Sequence, residues 1–570
     1  MNANNVNVKD MLANTADQNT KGGYIPVGFK GNSLFVYSFI LERIVEIRST
    51  QMTEMTLKSV CGAKWCEDLY MDFHTKKEEV FFNHKRLATD IIAQCQEAGP
   101  YSLSVERTCG VWPSSDHKRL LVNSSQLWDS EGKVIKRGQI EGRFYPTSGD
   151  VGFGPDTPLA TGTDVNRILK AFGAVKWQSD MVPEMLLGWL VVATCAPALA
   201  RRPHMYVSAR AGTGKTALLS LMSYLLDSQA LRLTGPQTFA ALYQQLGSTN
   251  RAVILDEFEA DASNRRNKET LEIARISYSL QENDNGISRG TCSGEAKNYR
   301  FFTPFLAASV VPGKFEPADL SRWVIVEAIG KQYDDALLGK SSEAQQEAIL
   351  LGQRLRALAI HRWSVFQDSL DQLSQAIQRN GGDDRIADTV GPLLAGYWSL
   401  VSDKPASASD ADMLVEMGGL SKHIEQREES DEVRCLDTLF SKVLTLPLME
   451  GNCLVRKPIS ISEAIQAICD DPTGTPEMQQ RLAQYGLRVS LMKGDWKVFI
   501  ANSVEHQELR KLFRGSKWQH GGWSMTLRRL PGGEESTQRL GAGFKACKVT
   551  VFDVPADLLP ANEDETQLSA

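Results

Sequence analysis

The residues best suited to chemistry lie in 204–222, where an apolar strand, a glycine-rich turn and an apolar-periodic helix follow one another. The turn reads A-x-x-x-x-G-K-T from Ala209 to Thr216, with alanine where glycine usually stands first. Glycines in such a turn let backbone N–H groups approach phosphate oxygens, and the following helix adds the positive end of its dipole. The pattern predicts a nucleoside triphosphate site built from Ala209, Gly212, Thr213, Gly214, Lys215 and Thr216.

Two carboxylates further along the chain support this interpretation against a chance glycine-rich loop. The apolar run 252–255 is typical of a buried parallel strand and ends in Asp256 and Glu257. Asp256 and the hydroxyl of Thr216 are expected to hold Mg²⁺, and Glu257 to orient and deprotonate the attacking water. Lys215 would reach the β- and γ-phosphates as a point charge. Together these residues predict binding and hydrolysis of ATP or GTP.

Length and charge limit the class of protein. The 570 residues exceed the ~250–300 at which single cores stop growing, so three or four domains are expected. The formal net charge of −6 gives no overall basic footprint, so any nucleic-acid site must be a local basic channel. Ten scattered cysteines and a polar N-terminus without a secretory signal favour reduced thiols and a cytoplasmic location. The apolar run 185–200 is shorter than the ~20 residues of a membrane span, so a buried helix is expected there and no membrane partner.

Shifts in composition and periodicity divide the chain into segments. Two helices are expected between 163 and 200, and one helix over 85–98 within an otherwise β-rich region. The expected organisation is a disordered N-terminus (1–22), a mainly β domain (23–160), a nucleotide-hydrolysing core (161–335), a helical lid (336–402), a linker (403–434), a C-terminal α+β domain (435–555) and an acidic tail (556–570).

Between the Asp-Glu strand and the end of the core, 288–302 reads as two short strands around a Cys-Ser-Gly-Glu turn. The hairpin precedes an apolar strand at whose end Ser309 is the polar candidate for sensing the γ-phosphate. Arg322 stands just before the next apolar strand, where a guanidinium can stabilise transition-state charge in a neighbouring site. A strand-flanking surface charge is the alternative for Arg322.

The order AGTGKT, VILDEFE, hairpin, FLAAS and LSRW resembles AAA+ ATPases with a pre-sensor-1 hairpin, the clade of minichromosome maintenance (MCM) and superfamily 3 helicases. Its SRW triplet is similar to the Ser-Arg-Phe arginine-finger motif of MCM proteins. Longer phrases, such as MLLGWLVVATCAPALARRPHMYVSARAGTGKT, resemble helicase-like proteins of prophages, plasmids and integrative islands, including self-loading helicases of staphylococcal cassette elements. The implied fold class is multidomain α/β, with an AAA+ P-loop core, a mainly β (α+β) N-terminal domain, a helical lid and a small winged-helix-like C-terminal domain. Ala209 and Ser309, where many relatives carry glycine and asparagine, depart from the pattern.

The resemblance implies a ring, of six subunits, with ATP sites at the subunit boundaries and hairpins lining a central pore. On that basis Lys297, Arg289, Asn298 and Arg300 are candidates for contact with the phosphates of a threaded DNA strand, against the alternative of a structural hairpin with solvated basic residues. By the same analogy Arg385 would sense the γ-phosphate from the lid. The implied function is an ATP-dependent hexameric DNA helicase or translocase in the replication of a mobile element or phage, with replication proteins as further partners. The alternatives are a regulatory switch or helicase loader, for example in phage defence, and a DNA-binding scaffold with a vestigial ATPase.

The two terminal regions carry weaker signals. Between Glu508 and Glu534 there is no acidic residue, and basic side chains interleave with tryptophans, so Lys517 and Trp518 are candidates for phosphate and base contact. A hydrophobic core that uses the tryptophans is the alternative. In the N-terminal region Cys61, Cys66 and the nearby histidines match no standard zinc spacing, and a collar or DNA-guiding role is expected by analogy only.

Overall fold

The computed structural model describes residues 23–210, 212–247, 249–259, 265–284, 286–290, 296–310, 315–418, 431–450, 453–503, 505–516 and 518–559. The chain divides into two compact units, Met1–Ile424 and Glu425–Ala570. The finer domain bounds expected from the sequence stay predictions. In the described part of the chain, no helix is both long enough and apolar enough to cross a lipid bilayer.

The N-terminal part of the first unit packs three helices against a small antiparallel sheet. The sheet order is β1 (Tyr24–Lys30), β2 (Ser33–Ser38), β3 (Arg43–Arg48), and a separate hairpin joins β4 (Met71–His74) to β5 (Glu79–Phe82). The helices are α1 (Glu54–Cys61), α2 (Ala63–Leu69) and α3 (His84–Ala98). The helix expected over 85–98 is thus present, because Leu87, Ile91 and Cys95 recur at helical spacing and are buried. Helices α1 and α2 were not expected from the sequence, so this region holds more helix than predicted.

A second antiparallel sheet follows. It is formed by β6 (Gly110–Pro113), β7 (Leu120–Asn123), β8 (Leu127–Asp129) and β9 (Val134–Ile135), and β10 (Gln139–Ile140) pairs with β11 (Arg143–Phe144). Trp112 and Leu121 of this sheet share a hydrophobic cluster with Leu280 and Phe302, which flank the region expected to form a hairpin. The second sheet is therefore packed directly against the segments that carry that hairpin.

The centre of the first unit is a six-stranded sheet in the order β12-β19-β13-β18-β15-β14. β12 is antiparallel to β19, and the remaining neighbours are parallel. The expected hairpin forms as β16 and β17, between β15 and β18 in the chain. The strands are β12 (Val175–Trp177), β13 (His204–Ala209), β14 (Ala230–Thr234), β15 (Ala252–Asp256), β16 (Ile287–Gly290), β17 (Ala296–Tyr299), β18 (Phe305–Ser309) and β19 (Trp323–Lys331). The central parallel strands are almost wholly buried, as their continuous apolar runs predict.

Helices cover the sheet and continue into a bundle. Those around the sheet are α4 (Gly162–Phe172), α5 (Val182–Thr194), α6 (Lys215–Leu226), α7 (Phe239–Leu246), α8 (Arg265–Ser279) and α9 (Pro317–Leu320). The bundle holds α10 (Ser342–His361), α11 (Trp363–Arg379), α12 (Asp384–Val401) and α13 (Ala408–Met417). The apolar run 185–200 is mostly the buried helix α5, which approaches α12 so closely that a Cβ on Gly188 would lie 1.8 Å from the carbonyl oxygen of Leu393.

The second unit has its own hydrophobic core. Its four-stranded antiparallel sheet has the order β22-β23-β25-β24, and a hairpin joins β20 to β21. Its elements are α14 (Asp431–Phe440), β20 (Val443–Glu450), β21 (Cys453–Ser460), α15 (Ile461–Asp470), α16 (Pro476–Gln484), β22 (Leu487–Met492), β23 (Asp495–Ala501), α17 (Gln507–Leu512), α18 (Trp523–Leu527), β24 (Glu534–Gln538) and β25 (Cys547–Asp553). The unit is α+β; its winged-helix character stays a prediction.

Candidate active site

The glycine-rich turn lies at the carboxyl end of β13, the strand between β18 and β19. Gly212 and Gly214 have φ of 85° and 91°, in the left-handed region, and a Cβ at either position would meet nothing within 4 Å. Glycine is needed there for the backbone conformation, and the space above the turn is open to a ligand. Lys215 is the first residue of α6, so the positive end of the helix dipole faces the same space.

Ala209 and Thr213, the first and fifth residues of the turn, have mainly structural contacts. Ala209 is buried in β13 and pairs with Ala328 of β19, which accounts for a small residue there. Thr213 is buried, and its hydroxyl donates to the carbonyl of Arg210 at 2.9 Å. Thr216 is exposed at the first turn of α6, where its hydroxyl is accessible to a ligand or ion.

The structure brings Lys215 to Asp256, as expected if both serve one site. The Nζ of Lys215 lies 3.6 Å from Oδ1 of Asp256, and both side chains are largely buried. Because the carboxyl ends of β13 and β15 meet at one edge of the sheet, the phosphate turn and the acidic pair face the same space. Asp256 and Thr216 are oxygen donors of the kind Mg²⁺ prefers, so the residues present fit that ion.

A further cation at this site was not predicted. Arg232 of β14 places Nη2 3.8 Å from Oδ2 of Asp256, while its Nη1 donates to the hydroxyl of Ser220 on α6 at 2.7 Å. The two oxygens of Asp256 therefore face two different cations, Lys215 and Arg232. The sequence signal was a lone arginine in the run ALRLT, which gains meaning only from the pairing of β14 with β15.

Glu257 has an unusual backbone. Its φ is 57°, and its N–H donates to Oδ1 of the preceding Asp256 at 3.0 Å. A non-glycine residue in this region costs on the order of 1–3 kcal/mol, and such residues cluster at functional sites. Glu257 is exposed and directly follows β15. A carboxylate in that position can act as a general base toward water.

A cavity of about 230 Å³ adjoins the turn. Three parts of the chain line it: Val175 at the start of β12, the turn with Gly212 and Ala217, and the segment after β19 with Tyr333 and Gly339. The hydroxyl of Tyr333 donates to the carbonyl of Lys170 at 2.5 Å, which holds the ring at the wall. The cavity was not predicted, because the segments that line it are far apart in the chain and share no sequence motif.

Ser309 lies at the end of β18 and pairs with Ser208 of β13, one strand from the turn. It is fully buried, and its hydroxyl is hydrogen-bonded to that of Tyr206. The expected role of Ser309 in sensing the γ-phosphate stays a prediction.

Arg322 and Arg385 lie together, away from the turn. Arg322 donates to the carbonyl of Ala318 and to the Ser321 hydroxyl, and its guanidinium lies 5.6 Å from the centre of the Tyr278 ring. Burial lowers the pKa of Arg322, and the nearby Arg385 lowers it further. Arg385 is exposed in the first turn of α12, which contacts the Arg322 region where Thr389 donates to the carbonyl of Ser321 at 3.0 Å. Among the described residues, no hydrogen bond or ion pair joins either arginine to residues 212–216 or to Asp256.

In the hairpin, Arg289 of β16 pairs with Lys297 of β17, and residues 291–295 and the side chains of these two residues lie outside the described part. Asn298 accepts a hydrogen bond from the Ser288 hydroxyl at 2.6 Å. The expectation that Arg300 contacts DNA does not agree with the structure. Arg300 is 3% exposed and donates to backbone carbonyls, because the chain enters the unit's interior directly after β17.

Trp518 is also buried, at 8% exposure, in the core of the second unit. This position agrees with the core alternative and leaves no ring face for base stacking. Trp523 is fully buried, stacks on Phe513 and donates its indole N–H to the carbonyl of Ala501 at 2.9 Å. Lys517 lies outside the described residues. The exposed basic side chains nearby are Arg510, Lys511, Arg514 and Arg529.

Comparison with known proteins gives only distant structural similarity. No protein-family model and no curated protein matches the chain. The solved structure described as "SCCmec type IV Cch - active helicase" matches 93% of this chain and 93% of its own, with 12% sequence identity and a TM-score of 0.44. The A form apo structure of the NrS-1 C-terminal region matches 79% of this chain and 98% of its own, with 11% identity and a TM-score of 0.31. Similarities this weak assign neither family nor activity, so the residues of the site carry the functional conclusion.

Proposed function

We propose that this chain is an ATP-dependent DNA helicase or translocase that acts in the replication of a mobile genetic element or phage. The observation that carries the proposal is the contact of Lys215 with Asp256 beside the open glycine turn, at the carboxyl edge of the parallel sheet. Glu257 directly follows Asp256 at the end of the same strand. This set has a phosphate-binding turn, a cation for the phosphates, a carboxylate for the metal and a carboxylate for water.

In the proposed reaction, water attacks the γ-phosphate in line with the departing ADP oxygen. Glu257 orients the water and accepts its proton, and Lys215 stabilises charge on the phosphate oxygens. Asp256 and Thr216 would hold Mg²⁺, which supplies charge neutralisation when bound. The base of the nucleotide would lie in the adjoining cavity, where Tyr333 is an aromatic lining residue that could stack on it.

Assembly into a ring, hexameric by resemblance, is part of the proposal. Its support is the position of Arg322 and Arg385, which neighbour each other and, among the described residues, form no hydrogen bond or ion pair with residues 212–216. An arginine that stabilises the transition state must reach a phosphate, and a second subunit supplies one if ATP lies at the subunit boundary. Each chain would then carry the phosphate side of one site and the arginine side of the next.

A second candidate function is an ATP-controlled switch or loader that remodels a protein partner. The burial of Arg300 and Trp518 favours it, because two of the six candidate DNA contacts are not at the surface. The remaining candidates are Arg289, Lys297, Asn298 and Lys517, and the helicase proposal depends chiefly on the hairpin pair Arg289 and Lys297.

The deciding experiment is ATP hydrolysis by the purified protein with and without single-stranded DNA, with Lys215→Ala as the blank. Stimulation by DNA supports translocation, and rates indifferent to DNA support the switch. Lys297→Ala should leave basal hydrolysis near normal while strand displacement collapses. Survival of both activities in that variant would remove the hairpin from the mechanism. Glu257→Gln tests the vestigial-ATPase alternative, because a scaffold should lose no function.

A further inference from the structure

We infer that Arg300 and Arg107 are positioning residues that fix the root of the β16–β17 hairpin to the N-terminal part of the same unit. The hairpin root is defined here as residues 281–284 before β16 and 300–302 after β17. The inference deepens the proposed function, since the hairpin is the proposed DNA-contacting element, but its main test does not depend on DNA.

Arg300 joins both sides of the root to a distant segment. Its Nη1 donates to the carbonyls of Leu103 at 2.8 Å and Glu106 at 3.3 Å, and its Nη2 donates to the carbonyl of Glu282. One guanidinium, placed directly after β17, therefore binds the segment before β16 and an N-terminal segment almost 200 residues away. The planar, multi-donor guanidinium suits such a bridge, and an ammonium group does not reproduce its fork.

Arg107 makes the reciprocal connection from the N-terminal side. Its Nη2 lies 3.3 Å from Oε2 of Glu282, and its Nη1 donates to the carbonyl of Ser104 at 2.7 Å. Its backbone N–H donates to the carbonyl of Phe144, at the end of β11. Arg143 of β11 adds a bond to Asn283 in the same root. Two N-terminal side chains, those of Arg107 and Arg143, thus reach the short segment before the hairpin.

Aromatic packing completes the joint. The Trp112 ring of β6 meets Phe302 edge-on at 5.3 Å, and the guanidinium groups of Arg107 and Arg300 lie over the Trp112 and Phe302 rings at 4.8 and 5.4 Å. At the base of the hairpin itself, a Cβ on Gly286 would lie 2.1 Å from the carbonyl oxygen of Tyr299. The two strands are therefore closely apposed where they leave the root.

The charge of this joint argues for a positional role rather than simple packing. Arg107 is 1% exposed and Arg300 3% exposed, and burial together with the other arginines lowers the pKa of Arg300 to about 10. Apolar side chains of similar volume would fill the space without the desolvation of two guanidinium groups. Apolar side chains could not donate hydrogen bonds to Leu103, Glu106 and Glu282. These directional bonds fix the hairpin in one orientation.

The test is amide hydrogen exchange of the full-length protein over residues 286–290 and 296–299, with Arg300→Met, Arg300→Lys and Glu282→Gln compared with wild type. The exposed Arg48→Met, in the same N-terminal part, is the matched control. We expect Arg300→Met to speed hairpin exchange at least tenfold, with exchange in β13 and β15 unchanged. Glu282→Gln and Arg300→Lys should give smaller increases at the same amides, and Arg48→Met none.

Unchanged hairpin exchange in Arg300→Met would overturn the inference. If Arg300→Met loses structure throughout the protein, Arg300→Lys and Glu282→Gln decide the question. Hairpin exchange at the wild-type rate in both of these variants would also overturn the inference. Basal ATP hydrolysis and its stimulation by DNA form the second readout, and in Arg300→Lys the stimulation should fall more than the basal rate. If DNA does not stimulate ATP hydrolysis by the wild-type protein, the proposed helicase function is wrong. Faster hairpin exchange in Arg300→Met would still support the inference in that case.

Discussion

Arg232 is expected to restrain Asp256, so its replacement by methionine should lower the Mg²⁺ concentration needed for ATP hydrolysis. Mg²⁺ that binds Asp256 must compete with Arg232, whose Nη2 lies 3.8 Å from Oδ2. Two unit charges about 4 Å apart interact by ~4 kcal/mol at an effective dielectric of 20. The Arg232 side chain is 34% exposed, however, and solvent screening reduces a pair of this kind to about 1 kcal/mol. At ~1.4 kcal/mol per tenfold, the Mg²⁺ midpoint should fall about fivefold.

The assay is ATP hydrolysis at saturating ATP as a function of free Mg²⁺. Arg232→Lys, which keeps the charge, should stay near the wild-type midpoint. Ser220→Ala, which removes the hydrogen bond that holds Arg232, should give part of the shift. An unchanged or higher midpoint in Arg232→Met would refute the restraint. A raised KM for ATP with normal Mg²⁺ dependence would instead make Arg232 a nucleotide contact.

Three further predictions concern the fold and the cavity. Gly188→Ala should destabilise the first unit by about 1–3 kcal/mol, because the added Cβ would collide with the Leu393 carbonyl. Gly162→Ala, where the added Cβ meets open space, should leave stability unchanged. Thermal unfolding measures both variants. Tyr333→Ala should raise KM for ATP about threefold to tenfold at constant kcat, and Tyr333→Phe should not, as steady-state kinetics will show. Burial lowers the pKa of His204 to about 3. Below pH ~6.5 the unfolded chain therefore binds a proton at this histidine that the folded chain does not bind. The free energy of unfolding should fall by up to ~1.4 kcal/mol per pH unit as the pH drops from 6.5 toward 3. Urea unfolding of His204→Gln should show a weaker pH dependence in that window, and an equal dependence would contradict this assignment.

The sequence predicted the elements that carry continuous signals. The apolar runs that end at Ala209, Asp256 and Ser309 became buried parallel strands, because such runs fit a sheet covered on both faces. The hairpin followed from two short strands around a turn. The roles assigned to the site residues stay predictions, although the structure brings Lys215 and Asp256 together.

What the sequence missed depends on contacts between distant segments. From the sequence, Arg300 was interpreted as an exposed basic residue of the hairpin. Nothing in the local pattern shows that its guanidinium donates hydrogen bonds to the carbonyl groups of Leu103 and Glu106. The sequence is equally consistent with Trp518 as a stacking surface for a base and as a residue of the hydrophobic core. Only the packing of the second unit, where Trp518 belongs to the core, distinguishes the two. The helices α1 and α2 are eight and seven residues long and meet at Gly62, too short for periodicity to reveal.

The candidate catalytic residues form two separate groups in the chain, and this separation bears on how hydrolysis would be regulated. Lys215, Asp256 and Glu257 gather at the sheet edge within one chain, whereas Arg322 and Arg385 share a separate surface. If the proposed ring forms, hydrolysis would depend on a neighbouring subunit, and an isolated chain would bind nucleotide and hydrolyse it slowly. The hairpin root lies in the same unit and is tied to the N-terminal part by Arg107 and Arg300. A partner that moves the N-terminal part would thus reach the hairpin directly, without first altering the phosphate turn.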